Sequence, residues 1–123
     1  MNKNILSIET TSNICSVALF SNNTLLSIKV DFNRNHSSLL AIFVDEIFKD
    51  SELSLNLLDA IALSIGPGSY TGLRIGCSFA KGIAFSLSKP IIPINTLESL
   101  NYSIQDSNYF IVSSAYKDYF FIQ

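Results

Sequence analysis

Two polar stretches carry the residue types that could do chemistry. The first, Glu9-Thr10-Thr11-Ser12, sets one carboxylate beside three hydroxyls. Such oxygens suit a Mg²⁺-bound phosphate held through water, with substrate oxygens completing the shell of a hard cation. The same string also serves as a plain hairpin turn rich in Thr and Ser. The second runs Gly66-Pro67-Gly68-Ser69-Tyr70-Thr71-Gly72-Leu73-Arg74-Ile75-Gly76, where three of the chain's five glycines fall within seven residues around a proline. Backbone amides at a glycine-rich entry to a helix can cradle an anion, which makes Gly66, Gly68, Ser69, Thr71 and Gly72 candidate phosphate contacts. Any tight strand-to-helix turn uses the same parts. The G-x-G-x-x-x-G spacing is one residue off the dinucleotide fingerprint, and no Lys-Ser/Thr follows as a P-loop requires.

The remaining candidates are single residues. His36 is the only histidine, and Leu40 stands four positions on, so no second ligand completes a transition-metal site. We expect a surface loop histidine there. No Cys–His or Ser–His–Asp nucleophile assembles around it, so no catalytic residue is assigned. Arg74, two residues past Gly72, could reach an anion at the loop or a carboxylate on a partner, or lie solvated beside the helix start.

Elements that would position these residues follow from periodicity. Asn4–Glu9, Ile14–Phe20 and Leu25–Val30 alternate as strands, with Cys15, Val17 and Leu19 on one face of the second. Ser21-Asn22-Asn23-Thr24 is a hairpin turn, since Asn tolerates positive φ. A polar loop from Asp31 to His36 leads to a helix capped by Ser37 or Ser38. In it Leu40, Phe43, Val44 and Ile47 form one stripe, while Leu39 and Ile42 fall outside.

After a polar link, Asp50–Asn56, the apolar run Leu57–Ile65 reads as a buried strand, and Leu73–Leu87 as a helix. That helix carries a small row (Gly72, Gly76, Ala80, Ala84) beside a large one (Ile75, Phe79, Ile83, Leu87). A helix apolar nearly all round is buried on more than one side. We therefore expect Leu39, Ile42, Phe43, Arg74, Ile75, Gly76, Phe79, Ala80 and Ile83 to meet a partner, or a further part of the same polypeptide. Lys89-Pro90 stops the helix, Ile91–Ile94 is a short strand, and Thr96 caps a last helix reaching about Tyr102. Tyr109–Val112 and Tyr119–Ile122 are aromatic β runs.

Composition points the same way. The chain has 123 residues, 48% hydrophobic and only 15% charged, against a usual charged share of about a quarter. Covered apolar surface would explain the shortfall. Net charge is −2 with eight scattered basic residues, which gives no footprint for gripping nucleic acid directly. Cys15 and Cys77 sit in apolar segments and read as buried thiols of a cytosolic protein. No signal peptide is expected at the start, and no run reaches the ~18 apolar residues of a membrane span.

The whole eleven-residue string GPGSYTGLRIG closely resembles the signature of the bacterial TsaB family, also called YeaZ, where Phe usually stands at the position of Tyr70. That resemblance implies the ribonuclease-H-like half-domain of the actin, hexokinase and Hsp70 (ASKHA) superfamily. Its order, β-β-β-α-β-α-β-α, matches the order read here. Residues 1–105 would form the first lobe, and 106–123 the opening β-hairpin of a second lobe, in either a fragment or a shortened member.

In that superfamily the turn at Glu9, where the family more often has Asp, faces nucleotide phosphates and metal. The resemblance further implies a non-catalytic scaffold in the making of threonylcarbamoyladenosine on tRNA, next to the anticodon. Its partners would be a TsaD-like catalytic subunit, bound through the two helices, and a TsaE-like ATPase. The chain would touch tRNA only indirectly. It would need no cofactor of its own, with ATP or ADP held at the complex interface, and would form a homodimer without its partner. TsaD binds its metal with a His-x-x-x-His pair, which Leu40 breaks. Where the family often reads Asp-Ala-Arg and then Glu-Val-Tyr, this chain has Ser114-Ala115-Tyr116-Lys117-Asp118-Tyr119, losing that motif's charges. Two other readings stay open: a small ASKHA-type ATP-dependent phosphotransferase, and a self-associating structural domain.

Overall fold

The computed structural model describes residues 3–33, 35–102, 104, 108, 110–114 and 120–122. Three strands, β1 (Asn4–Glu9), β2 (Cys15–Ser21) and β3 (Thr24–Asp31), form an antiparallel meander as their alternation predicts. Asn22 and Asn23 take φ of 52° and 66° at the β2–β3 turn, the pair of positive values that a two-residue hairpin turn needs. Helix α1 (His36–Asp50) follows, then β4 (Ala60–Ser64), α2 (Tyr70–Leu87), β5 (Ile91–Ile94) and α3 (Thr96–Asn101). The five strands lie in the order β3-β2-β1-β4-β5, with β4 parallel to β1 and β5 parallel to β4. This is the expected ASKHA-type α/β half-domain. A separate antiparallel pair joins β6 (Val112–Ser114) to β7 (Phe120–Ile122). The expected lobe boundary at 105–106 and residues 115–119, where the family motif is altered, lie outside the described residues.

Helices α1 and α2 share one face of the sheet, over Leu6, Ile8, Val17, Leu19, Ile61 and Leu63. Leu40, Val44 and Ile47 fill that core from α1, and Ala80 and Ala84 from α2. Burying a large aliphatic side chain there stabilises by about 1.5–3 kcal/mol. The opposite face is far less covered. Strand register puts Ile28, Ala18, Ser7, Ala62 and Ile92 in one row across all five strands, and Ile28 and Ile92 at its ends are exposed.

Several expected boundaries shift, each for a tertiary reason. The fourth strand begins at Ala60 rather than Leu57, because Leu55–Leu57 turns as a 3₁₀ helix and Asp59 pairs with Asn4 at the sheet's end. Helix α1 starts at His36 with Asn35 before it, and neither Ser37 nor Ser38 caps it. Helix α2 starts at Tyr70, three residues before the expected Leu73, because Ser69 Oγ accepts the Gly72 N–H at 3.2 Å. At α3 the cap is Asn95, whose side chain accepts from Glu98 N at 3.1 Å, and Thr96 is the first helical residue instead.

Candidate functional site

The C-terminal end of β1 and the loop after β4 meet at the N-terminus of α2, as parallel neighbours β1 and β4 require. Four residues of the first turn fold inward or onto themselves. Thr10 is fully buried, and its hydroxyl donates to the Gly72 carbonyl at 2.7 Å. The Glu9 carboxylate accepts from the Thr11 N–H at 2.7 Å and from the Thr11 hydroxyl. Ser12 Oγ accepts from Ile14 N at 3.2 Å. Much of the polar capacity of the stretch is thus spent on holding the turn's shape.

The glycine loop is laced to that turn through backbone. The Ser69 N–H donates to the Thr11 carbonyl at 2.6 Å. A side-chain carbon at Gly68 would overlap the same carbonyl, and one at Gly72 would overlap the Thr10 carbonyl. These two glycines exist for close approach of chain to chain. Gly66 takes φ +108°, a left-handed value that glycine adopts without strain. Thr96 clamps it from both sides, its N–H donating to the Gly66 carbonyl at 2.8 Å and its Oγ1 accepting the Gly66 N–H at 3.1 Å.

His36 is not the surface histidine expected. It is only 7% exposed, and Nε2 lies 2.7 Å from the Ser12 carbonyl oxygen. A carbonyl only accepts, so Nε2 carries the proton. The ring therefore bolts the start of α1 to the β1–β2 turn, and Nδ1 is buried without a hydrogen-bond partner among the described residues. Nothing in the sequence pairs position 36 with position 12, 24 residues away, so the contact was not legible there. Thr96 was likewise missed, since its cap-like placement hid its role in holding Gly66.

Between these parts opens a cavity of about 340 Å³, lined by Ser12, Asn13, His36, Ser37, Ser69, Thr71, Gly72 and Ile75. Four hydroxyls and the positive end of an 18-residue helix face one space, a setting suited to an anion. Glu9, Thr10, Thr11 and Ser12 are thus brought beside Ser69, Thr71 and Gly72, and of these Ser12, Ser69, Thr71 and Gly72 line the cavity. Leu40, four residues past His36, is buried in the core. Among the described residues no three His, Cys, Asp or Glu side chains group as a metal site.

The expected partner-facing residues divide. Gly76 and Ala80 are buried against the chain's own sheet, Gly76 beside Thr10 and Leu63, so they cannot meet a partner. The small row fits inward because the β1 turn comes so close to α2. Phe43, Ile75, Phe79 and Ile83 pack on the core and stay half-buried, Leu39 is half-buried and Ile42 exposed. Arg74 is exposed, with its guanidinium 5.5 Å over the Tyr70 ring. It lines the groove between α1 and α2 with Leu40, Ala41, Ile75 and Phe79, not the cavity. Burial raises the pKa of the Cys15 thiol, with Asp31 adding to the shift. No helix among the described residues is long and apolar enough to cross a membrane.

Comparison with known proteins completes the description of the site. The family model for TsaD, tRNA N6-adenosine threonylcarbamoyltransferase, matches residues 30–118. The tRNA threonylcarbamoyladenosine biosynthesis protein TsaB of Haemophilus influenzae is 38% identical over 99 residues, covering 80% of this chain and 42% of that protein. TsaB of Escherichia coli is 36% identical over 96 residues, covering 78% and 42%. The tRNA N6-adenosine threonylcarbamoyltransferase of Prosthecochloris aestuarii is 33% identical over 111 residues, covering 78% and 32%. Among solved structures, YeaZ from Pseudomonas aeruginosa superimposes with a TM-score of 0.73 at 29% identity, over 77% of this chain and 46% of that one. The chain thus spans less than half the length of these relatives.

Proposed function

The chain belongs to the TsaD family of tRNA threonylcarbamoyladenosine proteins, standing with its TsaB (YeaZ) members, and from that premise we propose that it acts as a non-catalytic scaffold subunit. In this reading it pairs with a TsaD-like catalytic subunit through α1 and α2 and works with a TsaE-like ATPase in the cytoplasm. The catalytic partner transfers threonylcarbamoyl to tRNA adenosine, and this chain touches tRNA only indirectly.

The observation that carries the reading is the outer side of the helix pair. Ile42 is 50% exposed on α1, and a largely apolar groove of about 540 Å³, lined by Leu40, Ala41, Arg74, Ile75 and Phe79, opens between the two helices. A silent role is supported by the histidine. Its protonated nitrogen is engaged by the Ser12 carbonyl, and Leu40 takes the position where a second ligand would stand. The hydroxyl-lined cavity favours a further element of the proposal: ATP or ADP phosphates can sit at the N-terminus of α2, at the complex interface.

Size-exclusion chromatography of the chain mixed with the TsaD-like subunit of the same cell tests this. We expect co-elution, and we expect Ile42→Glu, a surface change that leaves the fold intact, to weaken the complex by on the order of tenfold. A chain that forms no heterocomplex and hydrolyses ATP alone would overturn the scaffold reading in favour of a small phosphotransferase.

A further inference from the structure

The two outward helix surfaces differ in how their charges are satisfied. On α1 each acid has a cation. Lys29 of β3 bridges Asp50 at 2.9 Å and Glu46 at 3.7 Å, and Lys49 pairs with Asp45 at 2.7 Å. On α2 there is no acid at all between Tyr70 and Leu87. Its two cations, Arg74 and Lys81, are exposed and have no ion pair among the described residues. They stand seven residues apart, two turns and roughly 10 Å along one side of the helix. Ser78 lies between them, and Phe85, 90% exposed, extends the same side. The Arg74 guanidinium lies over the Tyr70 ring face, which restricts the side chain before any partner arrives.

Apolar hollows flank this ridge. The α1–α2 groove meets it at Arg74 and Ser78, and a second of about 690 Å³ meets it at Lys81 and Phe85. Unpaired cations at helical spacing beside apolar hollows match a helix that carries carboxylates about two turns apart and an apolar stripe between them. Arg is the more discriminating of the two, because its planar fork binds a carboxylate bidentately.

We propose that the α2 ridge, Arg74 to Phe85, docks an acidic amphipathic helix of the partner protein, with Arg74 and Lys81 reading its carboxylates. The proposal rests on the scaffold reading and names the chemistry that the partner must present. Complementary charge of this kind sets encounter rate and partner choice, and salt screens it.

The test measures the dissociation constant for the purified TsaD-like subunit at low and high salt, for the wild type and for the Arg74→Glu/Lys81→Glu double variant. Circular dichroism first confirms that the variant, altered only at exposed positions, folds. We expect wild-type affinity to fall with salt. We expect the double variant to bind on the order of 30-fold more weakly at low salt, with the salt dependence flattened. Arg74→Lys should recover only part of the loss seen with Arg74→Glu. A wild type that binds while the double variant binds equally well would sink this proposal and leave the scaffold reading standing. A wild type that forms no complex removes both. Loss of affinity confined to a tRNA transcript, with subunit binding unchanged, would also overturn it, since the ridge would then read nucleic acid.

Discussion

Along α2, Gly72, Gly76, Ala80 and Ala84 lie buried against the sheet, whereas Arg74, Ser78, Lys81 and Phe85 on the same helix lie in solvent. The inner row is fixed by backbone, because a side chain at Gly72 would overlap the Thr10 carbonyl. The outer row is fixed by almost nothing on this chain. One helix thus combines a side on which almost any change is a folding error with a side on which change is nearly free for folding and, under the proposed docking, costly for recognition. The division separates two questions that a helical wheel runs together: which side is apolar, and which side is taken.

Three substitutions test the division, from the inner row outward. Gly72→Ala should be the most damaging, because the new methyl meets a carbonyl that cannot retreat. We expect a loss of about 3 kcal/mol or failure to fold, read by urea denaturation. Stability within 0.5 kcal/mol of wild type would show that α2 can slide on the turn. Thr10→Val keeps the shape and removes the buried hydroxyl that donates to the Gly72 carbonyl. Its expected cost is about 1–2 kcal/mol in the same measurement, and no change would mean that glycine packing alone seats the helix. Gly82→Ala lies off the inner row, where an added carbon meets nothing within 4 Å. It should stabilise by about 0.5–1 kcal/mol through helix propensity, seen as a small rise in Tm. Destabilisation there would mean that this side of α2 is packed after all.

Much of the fold was legible, and the misses share a cause. The meander read correctly because half-exposed antiparallel strands alternate, and the Asn22-Asn23 turn has its own chemistry. The start of α2 was placed late because Tyr70-Thr71-Gly72 reads as turn. Only Ser69, pinned by the Thr11 carbonyl, makes it helical. Gly76 and Ala80 are expected at a partner face together with Ile75, Phe79 and Ile83, because a helix apolar nearly all round does not say which row meets its own sheet. Gly76 faces inward where the distant β1 turn comes close enough to exclude anything larger, and Ala80 is buried in the core one turn on. The two turns of the candidate site were found by residue type. His36 and Thr96, which hold those turns in place, were not, because single residues in polar surroundings carry no periodicity.

The hydrogen bond from Thr10 to Gly72 joins residues 62 apart in the chain, and the Thr96–Gly66 clamp joins residues 30 apart. Closing a loop of the longer span costs about 3–4 kcal/mol of chain entropy, so this hollow cannot exist as a local peptide motif. It comes into being only when β1 and β4 pair. The bonded amides of the glycine loop, Gly66 and Ser69 among them, should accordingly exchange with solvent deuterium at rates near those of global unfolding, although they sit in what looks like a loop. The most loop-like stretch of the molecule would then be a reporter of its whole-domain cooperativity.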